Sequence, residues 1–585
     1  MPVSGIFWSA ARTQSSRADA VLAFLLVVLA LTPIAFPFAR PGFPHGHDAA
    51  AHLANFFRFD RALAQGQFPV RWVEGLAPGS GQPLFNFYQG GFYYFADLLR
   101  LAGLPRSDAF ELAPVLLCWI GALFAWLWLR PFGVLAACAG SVTFVLSPYL
   151  IVDLFVRAAY PELAAIVWTV GALWAGDAFL RDGRCAHLAA FAALLALMLV
   201  SHLPATLIAA PLLAAQAIAR AAADPAARAR LARLTAGAFL GAGLAAFYVM
   251  PALWEMDLVN MHRLTTGGVD YRQHFVPASI WAPHTSSSRW NAGGTMVTDP
   301  TSLMPVHVGL VQWAAWAGGG LLLAVRPWRR RGPFAAATVA GWLLVSLYAL
   351  FMMHAVSRPV WEAIPALSFI QFPWRFFLVI SIAGAGLTAA LVSRLHGRRA
   401  QVILAILIVG LHVHLYHRRL QPPAFIPTAE MNIDVPGWSG GPGRAPRASR
   451  AYEELGYDPA GATPLTALPA RWSVDGPADV DLLRNDDARM ELRVMSRVSE
   501  VPLRLNIPQF PGWRVTVDDR PVPVSRTAEG YMQVVVPSGE HEVRATFANT
   551  PVRTVANGLS VASVLAIVAL SAGVTGRRRP RSGRP

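Results

Sequence analysis

The sequence predicts an α-helical polytopic membrane protein of about twelve spans that carries a small C-terminal β-sandwich domain outside the membrane. Its 585 residues are 55% hydrophobic and only 14% charged, and the mean hydropathy is +0.43. Soluble globular domains carry about 25% charged residues. Apolar runs of about 20 residues, long enough to cross a bilayer, recur along the chain. The stretch before the last run alternates apolar and polar residues, which is typical of strands.

The spans are placed by the roughly 20 residues that a helix needs to cross a bilayer. Arg12 and Arg17 precede the first apolar run, and no small-residue cleavage site follows it, so this run is predicted to be a span and not a signal peptide. The predicted spans are 19–38, 109–130, 132–151, 161–180, 186–201, 203–219, 234–254, 306–325, 334–354, 374–393, 400–416 and 553–575.

The arginines between the spans predict the orientation. They cluster in short loops that fall on one side of the membrane, and such loops are normally cytoplasmic. We therefore expect both termini in the cytoplasm and the long loops on the outer face. The net charge of +15 has the same origin and does not predict nucleic-acid binding. The basic loops are 130, 181–184, 220–233, 326–331, 394–399 and 577–584.

Three units follow from this pattern. Residues 1–417 form a membrane module, 418–552 form a periplasmic β-rich domain, and 553–585 form the last span and a basic tail. The β-rich domain begins with a Gly- and Pro-rich stretch. Its alternating segments are separated by turn sequences and predict a small antiparallel sandwich. The predicted strands cover 501–507, 513–517, 532–536 and 542–547.

The first outer loop, residues 40–108, contains the main candidate residue. A Pro/Gly turn delivers Asp48 to the start of a helix predicted over 49–65. Asp is a favoured N-cap residue, so Asp48 is either the helix cap or a general base that activates an acceptor hydroxyl. His47 and His52 could orient this carboxylate or bind a divalent metal with it, although the spacing is a weak metal signal.

A later part of the same loop, residues 85–104, is rich in aromatic side chains and contains Asp97. If it crossed the membrane, every later basic loop would move to the outer side. It is therefore predicted to lie in the interface or to re-enter. Its aromatics favour interfacial packing, and the alternative for Tyr88 is stacking against a sugar.

Three arginines are predicted on the outer side, against the usual charge bias. Arg71, Arg157 and Arg375 are each able to bind a lipid phosphate through a bidentate guanidinium. Arg157 is alternatively predicted to pair with Glu162, which follows Pro161 in a first helical turn.

Further candidates accompany these arginines. Trp72 and Trp374 suit either interfacial anchoring or substrate contact, and Gln371 stands in the same short motif as Trp374. His202, between two spans, is either a satisfied interfacial histidine or a ligand-binding residue.

The runs GHDAAAHLANFFRFDRALAQGQFPVRW and GSGQPLFNFYQ, followed by VRAAYPELAA, SHLPAT and IQFPWRFF, carry a resemblance. They resemble the bacterial membrane family labelled 6-pyruvoyl-tetrahydropterin synthase-related, which is grouped with polytopic proteins of the class C glycosyltransferase (GT-C) fold. PQFPGWRVTVDDRPVPV is similar to the C-terminal outer domain of proteins implicated in glycosylating cell-envelope polymers. The resemblance covers nearly the whole chain outside 256–305 and 420–450, and the sequence contains no pattern for pterin chemistry.

The resemblance implies an activity. GT-C enzymes typically use an acidic residue of the first outer loop as base and a polyprenyl-phosphate sugar as donor, and this role falls on Asp48. Many relatives show a paired acidic motif, whereas here His47 precedes Asp48. We therefore expect a glycosyltransferase that moves a hexosyl or pentosyl group to an envelope glycan or lipid acceptor. With the charge pattern, the resemblance also implies a protein of the bacterial inner membrane whose functional loops lie in the periplasm. The alternatives are a non-enzymatic envelope glycan-assembly protein and, because the spans hold few charges at mid-depth, less favourably a lipid-linked sugar flippase.

Overall fold

A computed structural model describes residues 17–44, 46–73, 81–276, 308–324, 333–395, 397–416, 425–426 and 471–576. The basic tail 577–585, the basic loop 326–331 and the Gly- and Pro-rich start of the insert lie outside these residues. Within them the chain forms a bundle of apolar helices, a two-stranded antiparallel pair and one seven-stranded antiparallel sheet. The predicted helical membrane protein with a C-terminal β domain is confirmed.

The helices are numbered in chain order over the described residues. Those up to the middle of the chain are α1 Arg17–Ala35, α2 Ala49–Ala64, α3 Leu84–Phe87, α4 Gly91–Leu101, α5 Arg106–Leu129, α6 Val134–Val145, α7 Pro148–Ile151, α8 Tyr160–Asp182, α9 Cys185–Ser201, α10 Leu203–Ala223, α11 Pro225–Leu244 and α12 Ala246–Trp254. The later ones are α13 Leu310–Ala324, α14 Pro333–Met353, α15 Arg358–Ala363, α16 Phe377–Val392, α17 Arg398–Tyr416 and α18 Pro551–Gly576.

Eight helical segments of the described chain are long and apolar enough to cross a membrane. Two bent pairs raise the number to 10 if each pair is one span, and α9 and α13 are shorter apolar helices. Helix α8 and the segment Pro373–Val392 form the centre of the bundle, since 94% of each is buried, whereas 17% of the last span is buried. Each predicted span thus corresponds to a helix, a bent pair or a shorter apolar helix.

Two predicted spans are not continuous helices. The predicted span 132–151 breaks at Ser147, and the two halves Val134–Val145 and Pro148–Arg157 meet at 44°. Ser147 is extended because the proline that follows it disfavours helical geometry at the preceding residue. The predicted span 234–254 bends by 71° at Ala245. The residues that follow both bends contact the first outer loop: Val156 accepts a hydrogen bond from the main chain of His47, and Tyr248 donates one to the carbonyl of Phe87.

The first outer loop folds into short helices against the bundle. Helix α4, with 11 residues, is about 16 Å long, which is too short to cross a hydrocarbon core of about 30 Å. The segment 85–104 therefore does not cross, as predicted. Two extended residues, Phe43–Pro44, pair with Phe425–Ile426 as β1 and β2 and join the start of the loop to the insert.

The C-terminal domain is one antiparallel sheet of seven strands among the described residues. The sheet is built on two long strands, β5 and β9, which pair with each other along their length. The other edge of β5 pairs with β4 in its first half and with β3 in its second half. The other edge of β9 pairs with β8 near its start and with β6 near its end. The strands are β3 Trp472–Val474, β4 Ala478–Asp486, β5 Arg489–Pro508, β6 Trp513–Val517, β7 Arg520–Pro521, β8 Ser525–Arg526 and β9 Tyr531–Phe547.

The predicted turn at PSGEH is wrong. The segments 532–536 and 542–547 belong to the single strand β9, and Pro537 and Gly539 face Glu500 and Ser496 across the ladder. The register of β5 shifts between Ser496 and Glu500, and this irregularity accommodates the proline without a chain reversal.

Candidate functional site

A cavity of about 810 Å³ opens between the first outer loop, the bent helices and the outer loops that precede α16. This volume lies within the range of about 300–1,000 Å³ that is usual for ligand sites. Ten of the twelve residues singled out from the sequence line it: His47, Asp48, His52, Tyr88, Arg157, Glu162, His202, Gln371, Trp374 and Arg375.

Arg71 and Trp72 are not among the residues that line the cavity. Arg71 is buried, and its guanidinium donates to Asn86 at 2.9 Å and to the carbonyl of Phe247 at 2.8 Å. Trp72 packs edge-on against Trp513 of the sheet domain, with ring centroids 5.3 Å apart. The structure therefore places Arg71 between the first outer loop and α12, and it places Trp72 at the contact between the loop and the sheet domain.

Backbone pairing positions Asp48. The main-chain nitrogens of His47 and Asp48 donate to the carbonyls of Val156 and Arg157, each at 2.9 Å. Gly46 permits this approach, because a Cβ there would lie 2.7 Å from the Cβ of Ala158. Two chain segments far apart in sequence are thus held side by side.

Asp48 occupies the N-cap position of α2, yet its side chain makes no capping hydrogen bond. The carboxylate is partly open to the cavity and is otherwise enclosed by protein. Burial raises the pKa of Asp48 above its usual range, although Arg157 and His47 oppose this shift. A carboxylate with a raised pKa is a stronger proton acceptor than one in water.

Arg157 ends a π-helical stretch, Val152–Arg157, that follows the bent pair. The next residue, Ala158, has a left-handed backbone with φ of 55°, which turns the chain into α8. Asp153 forms an ion pair with the guanidinium of Arg157 one turn away, and both side chains are buried. Such π-helical turns are common at functional sites.

Glu162 links the two cavity arginines. One carboxylate oxygen lies 3.0 Å from Nη1 of Arg157 and 3.1 Å from Nε of Arg375. The other oxygen accepts a hydrogen bond of 2.5 Å from the hydroxyl of Tyr149. The predicted Arg157–Glu162 pair is therefore present, and it is part of a buried cluster.

Sequence reasoning missed Asp153 and Tyr149. Asp153 stands four residues before Arg157, an ordinary helical ion-pair spacing, and this spacing was the available signal. Tyr149 gives no such signal, because its contact with Glu162 depends on the bend at Ser147.

The segment before α16 presents Trp374 and Arg375 to the cavity. Gln371 has a φ of 64°, and its side-chain amide donates to the carbonyl of Leu264 at 2.9 Å. Arg375 donates to the carbonyl of Ile370 at 2.8 Å. The guanidinium of Arg157 lies 4.5 Å above the Trp374 ring, an arrangement that favours the charged guanidinium.

Two histidines of the cavity have partners within the protein. Nδ1 of His52 is 2.7 Å from the hydroxyl of Tyr93, and burial together with the nearby Arg157 lowers the pKa of His52 to about 3. His52 is therefore neutral at physiological pH. Nδ1 of His202 accepts a hydrogen bond of 3.0 Å from the main chain of Ala205 and caps α10.

The segment after α12 also borders the cavity. Its described part, residues 255–276, contains four short 3₁₀ turns, and Met256, Met261, Leu264 and Val269 line the cavity. The sequence left the role of the 256–305 segment open. Its first part is now a wall of the site, and residues 277–305 lie outside the described chain.

Among the described residues, the cavity does not contain a metal site built from protein side chains alone. Within the described ranges, no group of three or more His, Cys, Asp or Glu side chains converges as a metal site would require. We therefore derive no step that involves a metal.

No family model matches the chain, and no curated protein matches it. Among solved structures, the chain is similar to the oligosaccharyltransferase AglB of Archaeoglobus fulgidus in complex with an inhibitory peptide and a dolichol-phosphate, with 13% identity and a TM-score of 0.43. This similarity covers 74% of the chain and 59% of AglB. The chain is also similar to the mycobacterial arabinofuranosyltransferase AftD, with 19% identity and a TM-score of 0.39 over 70% of the chain and 27% of AftD.

The chain thus spans less than two thirds of the length of either neighbour. A second AglB structure, with a tethered acceptor peptide, is similar at 13% identity and a TM-score of 0.41. Similarity at this level carries no argument about activity, and no residue role is taken from it.

Proposed function

We propose that the protein is a membrane glycosyltransferase that transfers a sugar from a polyprenyl-phosphate donor to a hydroxyl group of a cell-envelope acceptor. The reaction would take place on the periplasmic face of a bacterial inner membrane. The observation that carries this proposal is the position of the Asp48 carboxylate. It makes no capping hydrogen bond to α2, and it lines the same cavity as Arg157 and Arg375.

The cavity suits a lipid-linked sugar phosphate. One part is polar and holds the two arginines, and the rest is lined mainly by apolar side chains such as Leu199, Leu207 and Phe369. An isoprenoid chain would bury its surface against such side chains. A guanidinium is well suited to bind the phosphate of the donor.

Asp48 acts as the general base in this mechanism. The acceptor hydroxyl gives its proton to the Asp48 carboxylate, and the acceptor oxygen forms a bond to the anomeric carbon of the sugar. The bond between that carbon and the phosphate oxygen breaks, and its electron pair leaves with the polyprenyl phosphate. A single displacement of this kind inverts the anomeric configuration.

Arg157 and Arg375 stabilise the charge that develops on the leaving phosphate. Glu162 holds both guanidiniums within the wall of the cavity, so the cations are positioned before the donor binds. Preorganised charges of this type do not have to reorient during the reaction, which is the source of their effect on the rate.

The test is replacement of Asp48 in the full-length protein reconstituted in proteoliposomes. A panel of polyprenyl-monophosphate sugars serves as donors, and release of polyprenyl monophosphate is measured. We expect Asp48→Asn to reduce turnover by about 10²- to 10⁴-fold, as loss of a general base does.

The control is Asp108→Asn, which removes an exposed carboxylate that does not line the cavity. It should leave turnover unchanged. Full activity of both Asp48→Asn and Asp48→Ala would overturn the mechanism and favour a non-enzymatic role in glycan assembly.

A further inference from the structure

We propose that Glu255 and Arg553 are positioning residues that hold two walls of the cavity in fixed relation to the C-terminal sheet domain. The inference goes beyond the proposed function and rests on it only for a kinetic readout. It assigns the junction between the sheet domain and the bundle a role in shaping the site.

The centre of the junction is the carboxylate of Glu255, which is 5% exposed. Its Oε2 accepts hydrogen bonds from Nε and Nη2 of Arg553, at 3.0 and 2.9 Å, and from the amide of Asn86 at 2.8 Å. Its Oε1 accepts from the hydroxyl of Thr550 at 2.8 Å. One buried carboxylate therefore joins the first outer loop, the end of α12 and the start of α18.

Arg553 is fully buried and joins the sheet domain to this centre. Its guanidinium lies 4.8 Å from the Phe547 ring at the end of β9 and 5.4 Å from the Phe510 ring after β5. Thr550 stands between β9 and α18. A displacement of the sheet domain would thus move the donors that Glu255 requires.

The first wall starts at Asn86. The residues directly after it, Phe87, Tyr88 and Gln89, line the cavity. Asn86 also accepts a hydrogen bond of 2.9 Å from Arg71. The position of this wall is therefore set by side chains that the substrate does not contact.

Arg71 braces the same wall from the other side. Besides Asn86, its guanidinium donates to the carbonyl of Phe247 at 2.8 Å and to Oδ1 of Asn557 in α18 at 3.1 Å. Burial lowers the pKa of Arg71 to about 10, which still leaves the group charged at neutral pH.

The second wall starts at Glu255. This residue follows α12, and Met256, Met261 and Leu264 of the following loop line the cavity. The same carboxylate that binds Asn86 thus also stands at the base of this loop. Both walls meet at one buried ion pair, which is why we assign it a role in positioning.

A second ion pair between the sheet domain and the loop provides the matched control. Arg61, near the end of α2, binds Asp487 with contacts of 2.7 and 3.1 Å. Arg61 is half exposed and does not line the cavity. It lies about 20 Å along α2 from Asp48. Arg61→Gln therefore weakens docking of the sheet domain without altering either wall.

The experiment compares hydrogen exchange of the full-length wild type, Glu255→Gln and Arg61→Gln in detergent. Glu255→Gln keeps the shape of the side chain but removes the charge that matches Arg553. We expect exchange at 84–91 and 256–264 to become at least about tenfold faster, while the centres of β5 and β9 keep their protection. Arg61→Gln should leave both wall segments as in the wild type.

Unchanged exchange at both walls in Glu255→Gln would overturn the inference. So would equal loosening of the walls in Arg61→Gln, because it would show that any loss of docking has the same effect. If Glu255→Gln unfolds the sheet domain, Arg553→Lys is measured instead, because it keeps the positive charge but loses the planar guanidinium. We expect hydrogen exchange at the two walls to become about threefold faster in this variant. An unchanged exchange rate would overturn the inference here too.

The kinetic readout separates this inference from the proposed function. For a positioning role, Glu255→Gln should raise KM for the polyprenyl-phosphate donor more than it lowers kcat. If Asp48→Asn leaves sugar transfer intact, the proposed function fails. The hydrogen-exchange result still decides whether the junction positions the cavity walls.

Discussion

The main-chain nitrogen of Asp48 donates a hydrogen bond of 2.9 Å to the carbonyl oxygen of Arg157. This contact brings the carboxylate that starts α2 next to the arginine that ends the π-helical stretch. Burial raises the pKa of Asp48, and the charge of Arg157 opposes that shift. The contact therefore couples the proposed base to one of the proposed phosphate-binding groups.

Gly46→Ala should disturb this contact. The added Cβ would lie 2.7 Å from Ala158, so the two segments would have to separate. We expect a loss of about 1–3 kcal/mol in the free energy of unfolding together with reduced sugar transfer. Thermal unfolding and the proteoliposome assay measure the two effects. Gly268→Ala, where a Cβ meets nothing within 4 Å, is the control and should behave as the wild type.

Arg375→Lys should reduce turnover while the protein remains folded. Lysine keeps the positive charge but loses the planar fork of donors, so the leaving phosphate is less well stabilised. We expect kcat to fall by about 100-fold. Arg358→Lys, at an exposed position of α15, is the matched control. Equal activity of the two variants would remove Arg375 from the mechanism.

Asp48→Asn should stabilise the protein at neutral pH while it reduces transfer. Because the pKa of Asp48 is raised on folding, the folded state binds this proton more tightly than the unfolded state. Stability therefore falls as the pH rises through the two pKa values, and the charged carboxylate is a cost above them. We expect a gain of about 1 kcal/mol at neutral pH that disappears in acid. Unfolding midpoints of wild type and variant at several pH values test this.

The pH dependence of transfer should follow the same group. Only the deprotonated Asp48 accepts a proton, so the rate should rise with pH and reach half its maximum above the pKa range of ordinary aspartates. An acid limb at the usual aspartate range would contradict the assignment.

His52→Asn should reduce the sensitivity of the fold to mild acid. The pKa of His52 is lowered to about 3, so the unfolded chain binds its proton between about pH 6.5 and 3 while the folded protein does not. Stability is thus lost as the pH falls through this window, by about 2 kcal/mol at pH 5. Unfolding midpoints at neutral pH and at pH 5 should differ less for the variant than for the wild type. His262→Asn, at an exposed position, should show the wild-type difference.

Trp72→Ala should loosen the sheet domain and should not directly weaken donor binding. Trp72 is fully buried and contacts Trp513 and Phe547, each with ring centroids 5.3 Å apart. Removal of a buried tryptophan costs about 3–5 kcal/mol. Limited proteolysis within 471–550 measures the effect. Trp254→Ala removes a side chain that is 76% exposed and should leave the cleavage pattern unchanged.

The helical membrane architecture could be predicted because the cost of leaving an apolar segment in water is local to that segment. The bends could not be placed in the same way. Hydropathy runs without a break across Ser147 and Ala245. Pro148 is a local signal for the first bend, whereas the angles of 44° and 71° appear only in the packed structure. Strand β9 was divided for a related reason, since Pro537 and Gly539 resemble a turn until their partners in β5 are known.

The candidate site was predictable as a set of residue types. The chain carries a carboxylate, histidines and arginines on its loops, while its spans hold few charges. Arginines on the predicted outer side also run against the usual charge bias of such loops. Their grouping was not predictable for every member. Arg71 is an arginine of a predicted outer loop, as Arg375 is, yet its guanidinium binds Asn86 and the carbonyl of Phe247 outside the cavity. Asp48 was equally ambiguous. The structure places it at the N-cap position without a capping hydrogen bond, and its role as a general base is our proposal.

Local chemistry alone therefore predicted the membrane spans, the β-rich C-terminal domain and the list of polar residues that required an explanation. Tertiary structure decided which of these residues meet. Asp48, Arg157 and Arg375 line one cavity, while Arg71 joins the first outer loop to α12 and Trp72 packs against the sheet domain. Hydropathy and propensity act within one segment, whereas a cavity depends on contacts between segments far apart in the chain. Those contacts follow from the bends and from close packing at Gly46, which no single segment specifies.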